Sequence, residues 1–348
     1  MGKMPVKPIA FYLPQFHPIP ENDQWWGKNF TEWTNVRAAR PQFPGHYQPH
    51  EPHPSIGWYD LRDRAFLRRQ HAMAARYGIH GFCYYFYWFN DHTLLETPLQ
   101  RIRDDASITL PFCLCWANEA WTRAWYGQSK QVLLANEYTQ DTMRGFLQAV
   151  LPYLQHQRCI RVDNRPLLLV YRPEDIPQCA EWANMWREMA RQAGLPGLYL
   201  ASVEALSMGT EPQEYGFDAA VSFAPNWGCI HRTHIADCPQ KCCDYPATAA
   251  AMLRRSPVGY TRYPAVFPSW DNTPRYRENS LAFLNASPGA FRRVLEAAIE
   301  EMQRTPLPEP LLFINAWNEW GEGCHLEPDK KYGFAWLEAL EAALGLKP

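Results

Sequence analysis

The sequence predicts a single (β/α)8 TIM barrel over residues 1–348, with elaborated aromatic loops between its strands and helices. Apolar runs of strand character alternate along the chain with amphipathic helical stretches, which is typical of a parallel sheet covered by helices. Eight such runs occur in 348 residues, and this count and length fit one barrel. Because catalytic groups of such barrels lie on the loops that follow the strands, we expect a functional site there.

The predicted strands are apolar runs bounded by polar, proline or glycine residues. In chain order they cover residues 8–13, 80–89, 110–116, 166–171, 198–203, 218–223, 263–267 and 311–314. Amphipathic helices are predicted at residues 60–77, 139–155, 180–193, 288–302 and about 333–344. Gly78 and Gly194 follow two of these helices, and Ser287 with Pro288 begins another, which are common boundary signals.

The loop after the first strand is too long for a plain connection and is rich in aromatic residues. It runs through Trp25, Trp26, Phe30, Trp33 and His46–Tyr47 before the first predicted helix. Long ordered loops in compact domains are usually functional, so we predict that this one contributes to the site.

The charge balance excludes two classes of partner. The chain has 34 basic and 36 acidic residues and a formal net charge of -2, so no strong field would recruit nucleic acid or an anionic membrane. Tryptophan occurs 15 times, more often than a core of this size needs. Some of these rings are therefore predicted to form ligand surface, and flat aromatic faces favour a glycan as the partner.

The N-terminal residues and the cysteines indicate the cellular compartment in which the protein is expected. The chain leads directly into its first strand without an apolar signal region, and it has no run of about 18 apolar residues. Ten cysteines are scattered along the chain, several within predicted strands where a buried thiol acts as a small hydrophobe. These features predict an unexported, soluble protein of the cytoplasm with no membrane insertion.

The end of the last predicted strand carries the strongest candidate for a catalytic site. Segment 313–323 passes from an apolar run to Glu319 and Glu322, which lie among two tryptophans and two glycines. A turn places positions i and i+3 on one side, and retaining glycosidases hold their two carboxyl groups about 5 to 5.5 Å apart. The alternative is that these two acids only solvate a loop.

Acidic and aromatic residues follow other predicted strands at the same end. Glu119 and Asp271 could each bind a substrate hydroxyl, or could instead form a structural ion pair or cap. Glu327 and His325 lie near the paired acids and could tune them, and Glu327 is also a candidate for substrate binding. The rings predicted as sugar platforms, each of which could instead belong to the core, are Tyr12, His17, Trp33, Trp116, Trp121, Trp227 and Trp270.

Several motifs, spread over nearly the whole chain, form a specific combination. They are Phe11–His17, Trp33–Val36, Gly81–Tyr85, Trp116–Glu119 with Trp121, Trp317–Gly323 and Leu326–Pro328. This combination resembles the WbsX-type proteins, distant relatives of glycoside hydrolase family 99, the endo-α-mannosidases and endo-α-mannanases. The resemblance implies a (β/α)8 barrel that acts on an α-linked glycan with retention. The further substrate-binding candidates in these motifs are Asn118, Trp317, Asn318 and Trp320.

In family 99 the corresponding motif is Glu-Trp-His-Glu, and its two acids have different proposed roles. The first deprotonates the 2-hydroxyl of the sugar, which attacks C1 to give a 1,2-anhydro sugar; the second protonates the leaving oxygen and later activates water. Carried over, the resemblance implies Glu319 as the base and Glu322 as the general acid/base, with a pKa high enough to hold a proton near neutrality. It implies a mannose- or rhamnose-configured polysaccharide or oligosaccharide as the substrate.

Gly321 lies between the two acids, where family 99 has histidine. The glycine removes one polar contact, so mannose specificity does not carry over. We expect the substrate to be decided around the vacancy that the missing side chain leaves.

Two other functions stay open at the level of the sequence. WbsX-type proteins are often named glycosyltransferases because they occur among genes for surface-polysaccharide synthesis, so transfer in O-antigen or lipopolysaccharide biosynthesis is the first alternative. Against it, the sequence has neither an Asp-x-Asp metal motif nor a Gly-x-Gly-x-x-Gly phosphate turn. The second alternative is a non-catalytic glycan-binding barrel that keeps the tryptophans without turnover.

One segment has the residue types of a metal site without the usual spacing. Cys229, His231, His234, Cys238 and Cys242–Cys243 would suit zinc, yet they contain no Cys-x2-Cys pair. We therefore predict no metal and no other cofactor. If a metal does bind this loop, we expect its role to be structural.

Overall fold

The computed structural model describes residues 5–123, 128–205, 210–233, 241–305 and 307–346. Within these ranges, parallel strands form a nearly closed barrel in which each strand lies beside the next one in the chain. They are Lys7–Tyr12 (β1), Gly81–Phe89 (β2), Phe112–Trp116 (β3), Arg165–Val170 (β4), Tyr199–Glu204 (β5), Ala219–Ser222 (β6), Arg262–Tyr263 with Ala265–Val266 (β7) and Leu311–Ile314 (β8). Each predicted strand overlaps one of these, and the predicted barrel is confirmed.

The seventh strand is split in two, and its halves close the barrel. Arg262–Tyr263 pairs with β6, whereas Ala265–Val266 pairs with β8. Pro264 lies between the halves and has no N–H to donate, but its carbonyl accepts a hydrogen bond from the Phe313 N–H at 2.9 Å. The barrel therefore has eight strand positions, one of which is divided between two neighbours.

Helices cover the barrel and occupy its loops. In the described part of the chain they are Pro20–Trp26 (α1), Glu32–Ala38 (α2), Arg64–Arg76 (α3), Thr97–Arg103 (α4), Gln140–Leu154 (α5), Cys179–Gln192 (α6), Tyr245–Leu253 (α7), Thr273–Tyr276 (α8), Pro288–Arg304 (α9) and Ala335–Ala343 (α10). None of these helices combines the length and the apolar character needed to cross a bilayer.

The predicted helices correspond to α3, α5, α6, α9 and α10, with small shifts at their ends. Asp63 accepts a hydrogen bond from the Ala65 N–H, so α3 begins at Arg64 rather than at residue 60. The prediction has no counterpart of α1, α2, α4, α7 and α8. Four of these helices have only four to seven residues, which is too short for a helical period to stand out in the sequence, and the nine-residue α7 is rich in alanine and has no charged residue to mark a polar face.

Side chains of the barrel strands alternate between two packing layers. Phe11 lies in the layer that fills the barrel, whereas Tyr12 and Trp116 lie in the layer under the helices. The Tyr12 hydroxyl donates to Gln70 of α3 at 2.7 Å, and Trp116 stacks on Phe146 of α5 with ring centroids 4.1 Å apart. Side chains of this outer layer pack against helices and not into the mouth of the barrel.

Shorter strands decorate the loops. The described part of the chain includes His92–Leu94, Trp121–Arg123, Gln128–Leu134, Arg161–Val162, Arg232–Thr233, Lys241–Asp244, Leu281–Leu284, Asn318–Glu319 and Cys324–His325. The last two directly follow β8 and carry one of the two predicted catalytic acids.

Candidate active site

A cleft of about 470 Å³ lies where the loops after the barrel strands meet, and its size is typical of a ligand pocket. Its polar lining includes the acids Glu119, Glu319 and Glu322 and one arginine, Arg275. The aromatic rings that line it are Tyr85, Tyr87, Trp121, Tyr171, Phe223, Trp227, Trp270 and Tyr276. The predicted site residues that the structure brings together here are Glu119, Trp121, Trp227, Trp270, Glu319 and Glu322.

Residues 319–323, the acid turn, directly follow β8. Asn318–Glu319 pairs with Cys324–His325 as a short antiparallel ribbon, and Trp320–Glu322 forms a single 3-10 turn at its tip. Gly323 has a left-handed φ of 56°, and a Cβ at this position would lie 3.0 Å from the Asp271 carbonyl oxygen. The tight turn therefore requires glycine at position 323.

One guanidinium, that of Arg275, contacts both acids. Its Nη2 lies 2.6 Å from Glu319 Oε1, and its Nη1 lies 2.8 Å from Glu322 Oε1. A third carboxylate, from Glu32 of α2, places Oε2 3.2 Å from the same Nη2. The Glu32 side chain has 0% of its surface exposed and that of Arg275 has 11%, so most of this network is shielded from water.

Burial moves the titration of the two acids toward neutral pH. It raises the pKa of Glu319 to about 8 and that of Glu322 to about 7; the positive Arg275 opposes this rise, and the negative Glu32 adds to it. Three carboxylates share one guanidinium, so full ionisation would leave excess negative charge in a poorly solvated place. We therefore expect the cluster to hold a proton near neutral pH, as an acid and base pair requires.

The space beside Gly321 is filled, which corrects the expectation of a vacancy. A Cβ at this position would collide with Glu32 Oε2 and would lie 2.9 Å from Arg275 Nε. A side chain at position 321 would therefore have to displace the ion pair between Glu32 and Arg275. This pair occupies the place into which a larger side chain would have to extend.

Asp271 lies behind the acid turn, outside the lining of the cleft. Its carboxylate accepts hydrogen bonds from His46 at 2.6 Å, Gln48 at 2.7 Å and the Thr273 hydroxyl at 2.5 Å. Its backbone N–H donates to the Glu322 carbonyl at 2.6 Å. These contacts give Asp271 a structural role, and its backbone hydrogen bond also fixes the acid turn.

Glu327 supports the acid turn from the protein interior. Its carboxylate accepts hydrogen bonds from the Tyr59 hydroxyl at 2.7 Å, Gln70 Nε2 at 2.6 Å and Trp320 Nε1 at 2.7 Å. Burial raises the pKa of Glu327 to about 7, and these hydrogen bonds oppose the rise. Trp320 also stacks on His325 with ring centroids 3.7 Å apart, so it faces the interior.

Several other predicted residues lie outside the cleft lining. Asn318 ties the ribbon to β1 through two hydrogen bonds with the Leu13 backbone, at 2.7 and 3.0 Å. Asn118 bonds the Arg172 backbone in the same way, at 2.8 Å for both bonds. The residues buried in the protein interior are Tyr12, His17, Trp33, Trp116 and Trp317. A role for them in glycan binding stays a prediction.

Three predicted tryptophans do line the cleft. Trp227 and Trp270 meet edge to face with ring centroids 5.4 Å apart. Trp121 lines the cleft beside Glu119, whose carboxylate accepts a hydrogen bond from Arg172 at 2.8 Å. Indole faces in a polar cleft are well suited to contact the C–H bonds of a sugar.

The sequence expectations omit two charged residues of the site. Arg275 lies in α8, after β7, and it is the cation that a buried group of like charges requires. The paired acids in the sequence indicate that a cation lies nearby, because two buried carboxylates need a counter-charge. Glu32 lies in the long aromatic loop that was predicted to be functional, but its local sequence does not distinguish it from a surface acid.

The cysteine- and histidine-containing loop after β6 lies only partly within the described residues. Cys229 is half-buried in a 3-10 turn, and Cys242 and Cys243 are buried in a short strand. His234 and Cys238 lie outside the described residues. The expectation about a metal in this loop therefore stays a prediction.

Comparison with known proteins identifies relatives over the whole barrel. Residues 8–340 match the family described as "Glycosyltransferase WbsX". "Uncharacterized protein WxcX" of Xanthomonas campestris pv. campestris strain ATCC 33913 is 44% identical over 352 aligned residues, which cover 99% of this chain and 50% of that protein. The same protein of strain B100 matches with the same identity and coverage. The chain thus spans about half the length of the curated relatives it matches.

Solved structures with a similar fold include barrels of glycoside hydrolases. The family 99 endo-α-mannosidase from Bacteroides thetaiotaomicron has a TM-score of 0.59 and 17% identity over 97% of this chain and 96% of its own. A glycoside hydrolase-like protein has a TM-score of 0.62 and 13% identity over 98% of this chain and 94% of its own. At these identities the likeness establishes the fold.

Proposed function

Because the chain belongs to the WbsX family, we propose that it is a retaining, endo-acting α-glycosidase for a mannose- or rhamnose-configured polysaccharide or oligosaccharide. The observation that carries the proposal is the pair of carboxylates on the acid turn, Glu319 and Glu322, which share the Arg275 guanidinium at the mouth of the barrel. The aromatic lining of the cleft supports a sugar substrate.

In the first step of this proposal, Glu319 acts as the base. Arg275 Nη2 lies 2.6 Å from its carboxylate and stabilises the ionised form. Ionised Glu319 accepts the proton of the sugar 2-hydroxyl, whose oxygen attacks C1 as the bond from C1 to the leaving oxygen breaks. That oxygen takes the proton of Glu322, so the products are a 1,2-anhydro sugar and a shortened glycan.

In the second step, water opens the anhydro ring. Glu322, now ionised, accepts a proton from the water as the water oxygen attacks C1, and Glu319 returns its proton to the 2-oxygen. Each step inverts C1, so the product retains the original configuration. The cycle begins with one proton on the pair, and that proton must lie on Glu322. Burial raises the pKa of Glu319 to about 8 and that of Glu322 to about 7, so the free protein holds the proton mainly on Glu319, and the proposal requires that it pass to Glu322 when the glycan binds.

This chemistry restricts the substrate. The 2-hydroxyl must lie trans to the leaving group, as it does in α-mannosides and α-rhamnosides. A substrate analogue without the 2-hydroxyl should therefore not be cleaved. Endo action is proposed from the likeness to the family 99 endo-α-mannosidase.

The direct test is a screen of glycans with size analysis of the products. We expect α-mannan, α-rhamnan or a related α-linked polymer to be cut into oligosaccharides. Release of monosaccharide alone would contradict endo action. Failure to cut any α-linked glycan, together with sugar transfer from a nucleotide donor, would overturn the proposal.

Glycosyl transfer from a sugar nucleotide is the second candidate, because the family carries the name of a transferase. The charge of the cleft weighs against it. Among the described residues that line the cleft, Arg275 is the single cation, and three carboxylates already contact it. A diphosphate would have to displace them. Tight binding of a UDP- or GDP-sugar in a calorimetric titration, without hydrolysis of α-glycosides, would favour the transferase.

A further inference from the structure

We propose that His50, His325 and Asp329 form a binding site for a divalent transition-metal ion, best matched by Zn2+, behind the acid turn. The nitrogen and oxygen atoms that these side chains offer lie within 4.8 Å of one another. His50 belongs to the long loop after β1, and the other two follow the acid turn. The site is therefore separate from the cysteine- and histidine-containing loop after β6.

The three side chains are buried and close together. His50, His325 and Asp329 have 8%, 1% and 1% of their surfaces exposed. His50 Nδ1 lies 3.0 Å from His325 Nε2, which in turn lies 4.0 Å from Asp329 Oδ2. Two ligands bound about 2.0 to 2.1 Å from one zinc ion lie roughly 3 to 3.4 Å apart. The histidines already have this spacing, and the carboxylate needs only a small approach.

His325 is oriented as a metal ligand. Its Nδ1–H donates to the Glu327 carbonyl at 2.9 Å, so its Nε2 presents a lone pair to the site. Without an ion, His50 can donate a hydrogen bond to that lone pair. With an ion, His50 needs only to carry its proton on Nε2, which frees the Nδ1 lone pair. Metal binding therefore requires a change of tautomer but no loss of a proton.

The charge of Asp329 gives a second, independent reason for an ion. Its buried carboxylate accepts a hydrogen bond from the Tyr332 N–H at 2.5 Å. In the described part of the chain, His325 is the one basic side chain within 4.0 Å of it. Lys331 instead extends over the Tyr47 and Tyr332 rings, 4.5 and 4.8 Å from their centroids. A buried carboxylate without a close cation is unfavourable, and a divalent ion would supply the charge.

The surroundings leave room for a complete coordination shell. A cavity of about 170 Å³ borders all three side chains and shares Trp270 alone with the described lining of the acidic cleft. Water molecules in this cavity can provide the remaining ligands. Two imidazoles and one carboxylate suit zinc and other first-row transition ions better than magnesium or calcium.

The ion would act on structure and would not touch the reacting atoms. His325 stacks on Trp320, with ring centroids 3.7 Å apart, and Trp320 lies between the two acids in the turn. An ion that fixes His325 would hold this indole, and with it the backbone of the acid turn. The carboxylates of Glu319 and Glu322 line the other cavity.

The test measures metal content and thermal stability of the full chain. After removal of bound metal with a chelator, we expect added ZnCl2 to restore about one zinc ion per chain. Saturating zinc should raise Tm by roughly 3 to 6 °C. His50→Ala and Asp329→Asn should abolish both effects. His92→Ala removes an exposed histidine beside Asp91 and should leave both unchanged, which controls for binding at the surface.

Cobalt spectra keep the test decisive if the variants fail to fold. Co2+ bound by nitrogen and oxygen should give visible d–d bands without a thiolate charge-transfer band. A thiolate band in the wild-type protein would place the ion on cysteines and overturn the proposal. So would the absence of stoichiometric zinc binding, or equal zinc binding by Asp329→Asn and the wild type.

Discussion

At the scale of single residues, the acid turn places its two cleft-lining acids and its supporting indole on opposite sides. Glu319 and Glu322 line the cleft, whereas Trp320 between them points inward and donates to Glu327 at 2.7 Å. A run of neighbouring acids and indoles therefore does not form one continuous binding surface. Residues three apart share a side of the turn, and the residue between them secures it.

Replacing either acid by its amide should separate turnover from binding. Glu322→Gln would remove the proposed proton donor and Glu319→Gln the proposed base, so we expect kcat to fall by roughly 10²- to 10⁴-fold. Glycan binding, followed by calorimetry, should persist. Glu296→Gln on the exposed face of α9 should behave as the wild type. Unchanged turnover in Glu322→Gln would refute its assigned role, and wild-type protein that binds glycan without cleaving it would favour the non-catalytic barrel.

The shared proton predicts a bell-shaped dependence of kcat/KM on pH. Burial raises the pKa of Glu322 to about 7 and that of Glu319 to about 8, and the proposed mechanism starts with one proton on the pair. Activity should be lost above the higher value because both acids ionise, and below the lower value because both are protonated. The optimum should therefore lie near pH 7 to 8. A plateau that extends down to pH 5 would contradict one shared proton.

The crowded position of Gly321 predicts that even a methyl group is harmful there. Gly321→Ala should lower the free energy of unfolding by about 1 to 3 kcal/mol, because the new Cβ collides with Glu32. Adding Glu32→Ala should recover part of that loss. Gly289→Ala is the control, since its nearest contact is the end of Arg293 at 3.9 Å. Chemical denaturation gives the free energy of unfolding of the wild type, the two single variants and the double variant. Equal stability of Gly321→Ala and the wild type would contradict this prediction and show that the ion pair can move aside.

The acids of the site could be predicted from the sequence, whereas their counter-charge could not. Glu319 and Glu322 lie together in the chain, and their spacing alone brings them to one side of a turn. Arg275 comes from a separate helix, and Glu32 lies 243 positions before it in the chain. Such pairings depend on how distant loops meet, which local sequence patterns do not encode.

At the scale of elements, the acid turn is held by two anchors on the first βα unit. Asn318 bonds the backbone of Leu13 at the end of β1, and Glu327 accepts a hydrogen bond from Gln70 of α3. The segment after β8 is thereby joined to the end of β1 and to α3 through buried polar contacts. These anchors fix where the acids lie relative to the cleft walls.

The buried Glu327 anchor predicts that stability depends on pH. Its pKa is about 7 in the folded protein against an ordinary value of 4.5, so the folded state binds the proton more tightly. Below pH 4.5 this tighter proton binding contributes at most about 3 kcal/mol to the free energy of unfolding. The contribution is lost as the pH rises through 7. Between pH 5 and pH 8, the free energy of unfolding measured by chemical denaturation should fall less for Glu327→Gln than for the wild type. The exposed Glu338→Gln should keep the wild-type slope, and equal slopes for all three proteins would contradict this account.

Strands were easier to predict than short helices for a physical reason. Each barrel strand is an apolar run that stands out in the sequence, whereas α7 is rich in alanine and too short to show a polar face. Pro264 divides β7 within one predicted run, because proline has no N–H to donate to a neighbouring strand. The two-residue period of β2 also predicts that Tyr85 and Tyr87 share a face, as they do in the cleft.

At the scale of the whole molecule, closure of the barrel is what assembles the site. The two halves of β7 join β6 to β8, and the loops after β1, β7 and β8 then converge. Glu32, Arg275 and Glu319 each come from a different one of these loops. A buried group of like charges around one cation is held by the whole barrel and not by any single element.

The most direct test of the central claim is the anomeric configuration of the first product, followed by proton NMR during cleavage of a susceptible α-linked glycan. A retaining mechanism through the 2-hydroxyl predicts that the new reducing end appears first as the α-anomer and then mutarotates to the equilibrium mixture. Initial appearance of the β-anomer would show inversion. That result would contradict the roles proposed for Glu319 and Glu322.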